Sequence, residues 1–136
     1  MTDFIKLADD FYIHGQITQE HISQASSDGI KTIINLRPDG EKPGYINAQD
    51  AADVAKNNNV TYHHIPVAMT GPKPEQVASF KQTVQGCDGA VLVHCGSGKR
   101  DAILWALSNK GALTADEIIS ACANFGHDLS KLRANL

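Results

Sequence analysis

The segment Val91-Leu92-Val93-His94-Cys95-Gly96-Ser97-Gly98-Lys99-Arg100 holds the residues most able to do chemistry. An apolar run delivers a cysteine, a glycine-rich turn follows, and a helical pattern starts at once. Backbone N–H groups of Gly96, Ser97, Gly98, Lys99 and Arg100 can converge into an anion cradle. A helix N-terminus adds partial positive charge. Lys99 and Arg100 add two formal charges, and an arginine fork suits a tetrahedral oxyanion. Together these are expected to lower the Cys95 pKa and make it a nucleophilic thiolate. A buried cysteine beside an ordinary helix cap is the bland alternative, but Gly96, Gly98 and Lys-Arg have no evident packing purpose.

The rest of the chain must position that loop. At 136 residues it is expected to form a single domain, 1–136. The hydrophobic set is 42% and glycines number 11, ordinary for a globular protein and excluding a disordered or collagen-like chain. A net charge of −3 with no basic stripe argues against nucleic acid as a partner. Three cysteines, Cys87, Cys95 and Cys122, are too few for a disulfide framework and lack zinc-site spacing. Residues 1–10 are too charged for a signal peptide, and no run approaches the ~18 apolar residues of a membrane span. A soluble protein of a reducing cytoplasm, with no membrane contact, is the expectation.

Strand and helix patterns alternate. Residues 11–14, 31–36, 60–67 and 90–93 read as strands, the last as central. Helices are expected after Thr18, over 48–58, from Pro74 to about 86 with Val77, Phe80 and Val84 on one face, over 101–110, and from the Thr114-Ala115-Asp116-Glu117 capping box to about 125. The tail 130–136 can add one turn. Such alternation predicts an α/β fold: a mainly parallel sheet of four to five strands with helices on both faces. Loops 37–44, 68–73 and 95–100 all leave strand ends and are expected to gather at one rim, where such sheets place their sites.

With those residues set out, a family resemblance emerges. His94-Cys95 with Gly98 and Arg100 resembles the signature loop of cysteine-dependent phosphatases of the dual-specificity-like branch. Taken with His14-Gly15-Gln16-Ile17-Thr18, the stretch 29–41 containing Leu36-Arg37-Pro38-Asp39-Gly40-Glu41, Tyr62-His63-His64-Ile65-Pro66-Val67 and Leu104-Trp105-Ala106-Leu107, the chain resembles the bacterial phosphatase-like domain of beta-lactamase hydrolase-like proteins. The likeness runs from about residue 12 to 108. It implies a dual-specificity-phosphatase-like fold and a small anionic or phosphorylated substrate; no cofactor is expected, and with no partner visible for His14 or His127 no metal site is expected either. It also implies a phosphocysteine on Cys95, oxyanion contacts from Arg100 and the loop, and His94 steadying the loop.

Three departures bear on mechanism. Four residues separate Cys95 from Arg100, where ordinary cysteine phosphatases have five; the shorter loop is typical of rhodanese-like sulfurtransferases. Asp101 stands where both superfamilies usually carry Ser or Thr, a hydroxyl that assists the cysteine as leaving group. Its carboxylate can repel an anion, pair with Arg100 or, the preferred reading, cap the helix. The loop 68–73 offers no carboxylate as general acid. Asp39 is the best substitute and Glu41 the second, although Pro38-Asp39-Gly40 is also turn chemistry. Arg37 either reaches the anion or holds the loop.

Elsewhere, His63 and His64 point to opposite sheet faces, one expected in the core and one exposed. Cys122 has core spacing, Trp105 belongs to an apolar helix, and Cys87 is a remote candidate to resolve an oxidised Cys95. The leading function is a phosphatase-like hydrolase. The second is a sulfurtransferase carrying a persulfide on Cys95, and the third a non-catalytic anion-binding module. Substrate identity and oligomeric state are not legible.

Overall fold

The computed structural model describes residues 4–136; the first three residues of the charged opening stretch lie outside it. Strands β1 (Ile5–Ala8), β2 (Phe11–His14), β3 (Ile30–Asn35), β4 (Thr61–His64) and β5 (Ala90–His94) form one sheet in the order β1-β2-β5-β3-β4. The pairs β2·β5, β5·β3 and β3·β4 are parallel, as the helical crossovers between them require. Strand β1 is antiparallel to β2 and was not legible in the sequence. Its four residues are too short a pattern to stand out beside Asp9 and Asp10. The tight turn there places Asp10 at φ 57°, a left-handed conformation that Asp tolerates better than most residues.

Helices α1 (Gln19–Ser27) and α2 (Ala48–Asn57) cover one face of the sheet, packing Ile22, Ala25, Ala51 and Ala55 against Ile33 and Leu92. Helices α3 (Pro74–Gln85), α4 (Lys99–Ser108) and α5 (Ala115–Ala123), with a 3-10 turn over Ser130–Asn135, cover the other, where Phe80, Trp105, Ile118 and Cys122 meet Ile34, Val91 and Val93. Central β5 is buried on both faces, which is why its sequence is continuously apolar rather than alternating. Each of Val91, Leu92 and Val93 contributes about 1.5–3 kcal/mol by that burial. Thr18 and Thr114 cap α1 and α5 as expected; the partner in the α1 box is His21, and Glu117 completes the α5 box.

Strand β4 is shorter than its apolar pattern. Ile65 and Val67 still donate to the carbonyls of Asn35 and Leu36, but Pro66 has no N–H for the ladder. As β4 is the sheet edge, neither His63 nor His64 is buried, a correction to the expected core histidine. Among the described residues no helix is long and apolar enough to cross a membrane.

Candidate active site

The carboxyl ends of β2, β5 and β3 lie side by side, and the backbone locks the loops that leave them. Leu36 N–H donates to the His94 carbonyl, and Gln16 N–H to that of Gly96. Gly15 packs so tightly under the cysteine loop that a Cβ there would sit 2.9 Å from the Gly96 oxygen. Gly15→Ala is therefore expected to push the loop outward. It should lower turnover about 10–100-fold, while a urea melt registers a loss of only about 1–3 kcal/mol. A variant with parental kinetics would mean that the loop tolerates the shift.

Gly98 adopts φ 91° at the N-cap of α4, a left-handed turn that folds the loop back over Cys95. Its N–H donates to Cys95 Sγ at 3.1 Å, and the N–H groups of Arg100 and Asp101 also point at the sulfur. Cys95 is fully buried. Burial pushes its thiol pKa up, and the Asp101 carboxyl adds to the rise, against the pull of those three N–H groups. The expected depression of this pKa is thus not what the closed site displays, because the cradle is sealed from water and holds a second acidic group.

Arg100 forms the lid. Its guanidinium grips Glu41 with two hydrogen bonds, of 2.7 and 2.8 Å, and donates a third to the Val67 carbonyl. Glu41 is held below the usual carboxylate range by that contact. Above the pair lies a cavity of about 370 Å³ walled by Lys42, Lys99, Tyr45, Met69 and Ile103, with Gly96 and Ser97 at its floor.

Asp39 is turned away from this cavity. Its carboxylate accepts the Ala48 N–H at 2.9 Å, at the first residue of α2, while Glu41 two residues on lines the cavity. Arg37 is buried and engaged on every side: Nε with Gln16 Oε1, Nη1 with the Pro38 carbonyl, Nη2 with the Ile46 carbonyl, and its plane against Tyr45. It therefore holds the 37–44 loop. His94 is buried beside the Cys95 backbone, but neither ring nitrogen makes a well-formed hydrogen bond; burial drives its pKa down to about 3.

Asp101 does not cap α4. It is fully buried at the third helical residue, and Oδ2 accepts the His14 N–H at 3.3 Å. Cys87 donates to the Thr83 carbonyl and precedes β5, whereas Cys95 follows it. Five strand residues, roughly 17 Å, keep the two thiols apart. Cys122 is a core thiol whose pKa burial raises to about 11. The sequence places Met69 only within a loop at the rim and does not single out Tyr45 or Ile103; no spacing signals these two, because the fold alone brings them to the cavity. No group of three or more His, Cys, Asp or Glu among the described residues could hold a metal ion.

The same architecture recurs in solved structures. An inferred phosphatase from Neisseria meningitidis superposes with a TM-score of 0.85 at 30% identity, covering 96% of this chain and 93% of that one. The kinase-associated phosphatase (TM-score 0.77, 16% identity) and the catalytic core of an S. cerevisiae PP-IP phosphatase (0.72, 20%) share the fold. Beta-lactamase hydrolase-like proteins of Xylella fastidiosa and Agrobacterium fabrum are 32% and 28% identical over 88% and 92% of this chain. The chain spans less than a third of their length, 28% and 30%. A family model for the phosphatase-like domain of beta-lactamase hydrolase-like proteins matches residues 3–112, and the chain belongs to that family.

Proposed function

We propose that the chain is a cysteine-dependent phosphatase of small phosphate monoesters. The observation that carries this reading is the convergence of the Gly98, Arg100 and Asp101 N–H groups on the sulfur of Cys95, beneath an arginine fork. Arriving phosphoryl oxygens replace the two Glu41 oxygens on Arg100, which have similar charge and bite. The Cys95 sulfur attacks phosphorus, and Arg100 with the 96–100 N–H groups holds the equatorial oxygens. Water then attacks the phosphocysteine, and the sulfur leaves with the electron pair of the S–P bond.

Glu41 supplies the proton. Once displaced it faces a phosphoryl dianion instead of a guanidinium, so its pKa rises and it can protonate the leaving oxygen and later accept a proton from water. Glu41 thus fills the role expected of Asp39, whose carboxylate is held by the Ala48 N–H. Lys42 and Lys99 draw the anion in, while Tyr45, Met69 and Ile103 offer an apolar wall to the leaving group. That combination favours a phosphate ester of an apolar or aromatic alcohol. The cationic rim and the displaceable carboxylate favour phosphoryl transfer over a persulfide carrier, which needs neither.

Rapid acid quench with an aryl phosphate, followed by peptide mass spectrometry, should find phosphate on Cys95. Turnover without that adduct overturns the mechanism, and a sulfur gained from thiosulfate with no phosphoryl chemistry would assign sulfur transfer instead. Glu41→Gln gives an independent check. Removing the charge that competes for Arg100 should tighten inorganic phosphate about tenfold by calorimetry. It should also slow alkyl phosphates, which need an acid, far more than 4-nitrophenyl phosphate, which does not.

A further inference from the structure

The mechanism above leaves one buried acidic group unused. Asp101 has no solvent exposure, and its neighbour Arg100 gives its hydrogen bonds to Glu41 and Val67 and acts on the carboxyl only through its charge. One carboxyl oxygen takes the His14 N–H, and the His14 carbonyl in turn takes the Cys95 N–H, which sets the carboxyl beside Cys95; the other carboxyl oxygen has no hydrogen-bond partner. An ionised carboxylate in that position would be buried, with one oxygen unsatisfied and no ion pair, beside the sulfur that must itself become an anion. Two such charges in contact cannot both persist, and a shared proton resolves the conflict.

We infer that Asp101 is held as a neutral carboxylic acid that donates its O–H to Cys95 Sγ, so that the two groups share one proton and Asp101 stabilises the thiolate. The helix N–H groups aimed at Sγ favour placing the negative charge on sulfur, not on the carboxyl. Burial raises the Asp101 pKa well above the usual carboxylate range, in the same direction. The other titratable and charged groups around the pair are His14 from β2, His94 from β5, Lys99 and Arg100 from α4, Glu41 from the 37–44 loop, and His127 beside Gly98. None of them donates to the unpartnered carboxyl oxygen.

The catalytic consequence rests on the phosphatase reading. In the first step the thiolate pair forms the S–P bond, the P–O ester bond breaks, and the ester oxygen takes its proton from Glu41. In the second, water oxygen bonds to phosphorus and its proton passes to Glu41. The S–P electron pair returns to sulfur, where the Asp101 O–H receives it. If the proton crosses, the products are a thiol and a carboxylate, and the net charge of the pair is unchanged.

The test is the pH midpoint for iodoacetamide alkylation of Cys95, followed on its own peptide so that Cys87 and Cys122 do not contribute. Removing a donor raises the midpoint, whereas removing a carboxylate charge lowers it. Asp101→Ala should raise it by about one pH unit or more, and Asp101→Ser and Asp101→Asn, which keep a donor, should stay within about half a unit of the parent. A lowered or unchanged midpoint in Asp101→Ala overturns the inference. Should that variant fail to fold, a midpoint in Asp101→Asn lowered by a unit or more does the same. An infrared protonated-carboxyl band present in the parent and lost in Asp101→Asn supports the inference; its absence at pH 7 overturns it. With an aryl phosphate, Asp101→Ala should show a burst and then release phosphate about tenfold more slowly. If the parent has no Cys95-dependent turnover, the phosphatase reading fails, while the alkylation and infrared results still decide the shared proton.

Discussion

Cys95→Ser is expected to lower aryl phosphate turnover by at least roughly a thousandfold, and Arg100→Lys by about a hundredfold or more. The cysteine effect is large because no free base faces the side chain of residue 95: Glu41 is bound to Arg100, and Asp101 keeps its own proton. His94 precedes residue 95, but neither of its ring nitrogens makes a well-formed hydrogen bond, and its contact is with the backbone of residue 95, not the side chain. The N–H groups around Sγ can stabilise an existing thiolate but cannot remove a proton from serine, whose pKa lies far above that of a thiol. At Arg100 the geometry of the fork matters more than its charge. Two parallel donors hold the Glu41 oxygens at 2.7 and 2.8 Å, and a lysine ammonium cannot reproduce that bite. Steady-state kinetics on both variants, with circular dichroism to confirm folding, provides the check. A Cys95→Ser protein within tenfold of the parent would falsify nucleophilic catalysis at this residue.

The short loop is workable because its neighbours compensate. With four residues between Cys95 and Arg100, three N–H groups still reach the sulfur, since Gly98 turns left-handed and Gly15 lets β2 approach the loop closely. The price is a cradle that closes completely. The resting site covers its nucleophile, fills its arginine fork with Glu41 and keeps a second acid against the thiol. On the proposed mechanism, substrate binding exchanges one carboxylate for one phosphoryl group, anion for anion. This leaves affinity for phosphate sensitive to Glu41 while the sheet beneath it stays unchanged.

Much of this was legible in the residues. The continuous apolar run at 90–93 identifies a strand buried on both faces, and strands alternating with capped helices imply the parallel sheet. The glycine-lysine-arginine turn after Cys95 identifies the site. Other features were not legible, for physical reasons. Asp39 and Glu41 are two residues apart in one loop, and which faces the cavity depends on Asp39 binding the first N–H of α2, a tertiary choice. The rise in the Cys95 pKa is not legible, because positive charges can be counted along a chain but burial cannot. Asp101 has the spacing of a helix cap, and only the approach of β2 reveals that His14 takes its carboxyl. β1 has no signature of its own and exists because β2 offers it an edge.

Acidification is expected to reveal buried His94. His94 has a folded-state pKa of about 3 against an ordinary 6.5, because burial opposes its charged form and Arg37 adds repulsion. The unfolded chain thus binds a proton that the folded chain refuses. The stability this contributes is fully present above pH 6.5 and is lost as pH falls from 6.5 toward 3. At about 1.36 kcal/mol per pH unit, the loss is about 3 kcal/mol by pH 4 and about 5 kcal/mol when complete, comparable to the whole stability of a marginal domain. Asp101 works in the opposite sense: its raised pKa means that the folded chain keeps a proton the unfolded chain releases, so its contribution falls as pH rises above about 4. The two slopes overlap in the parent and are separated by substitution. Denaturant melts at pH 7 and pH 4 should find His94→Leu within about 1 kcal/mol of the parent at pH 7 and about 3 kcal/mol more stable than it at pH 4. Asp101→Asn should gain most at neutral pH and lose that advantage near pH 4. If the difference between His94→Leu and the parent is the same at both pH values, the imidazole charges inside the fold, and the sealed cradle must admit water.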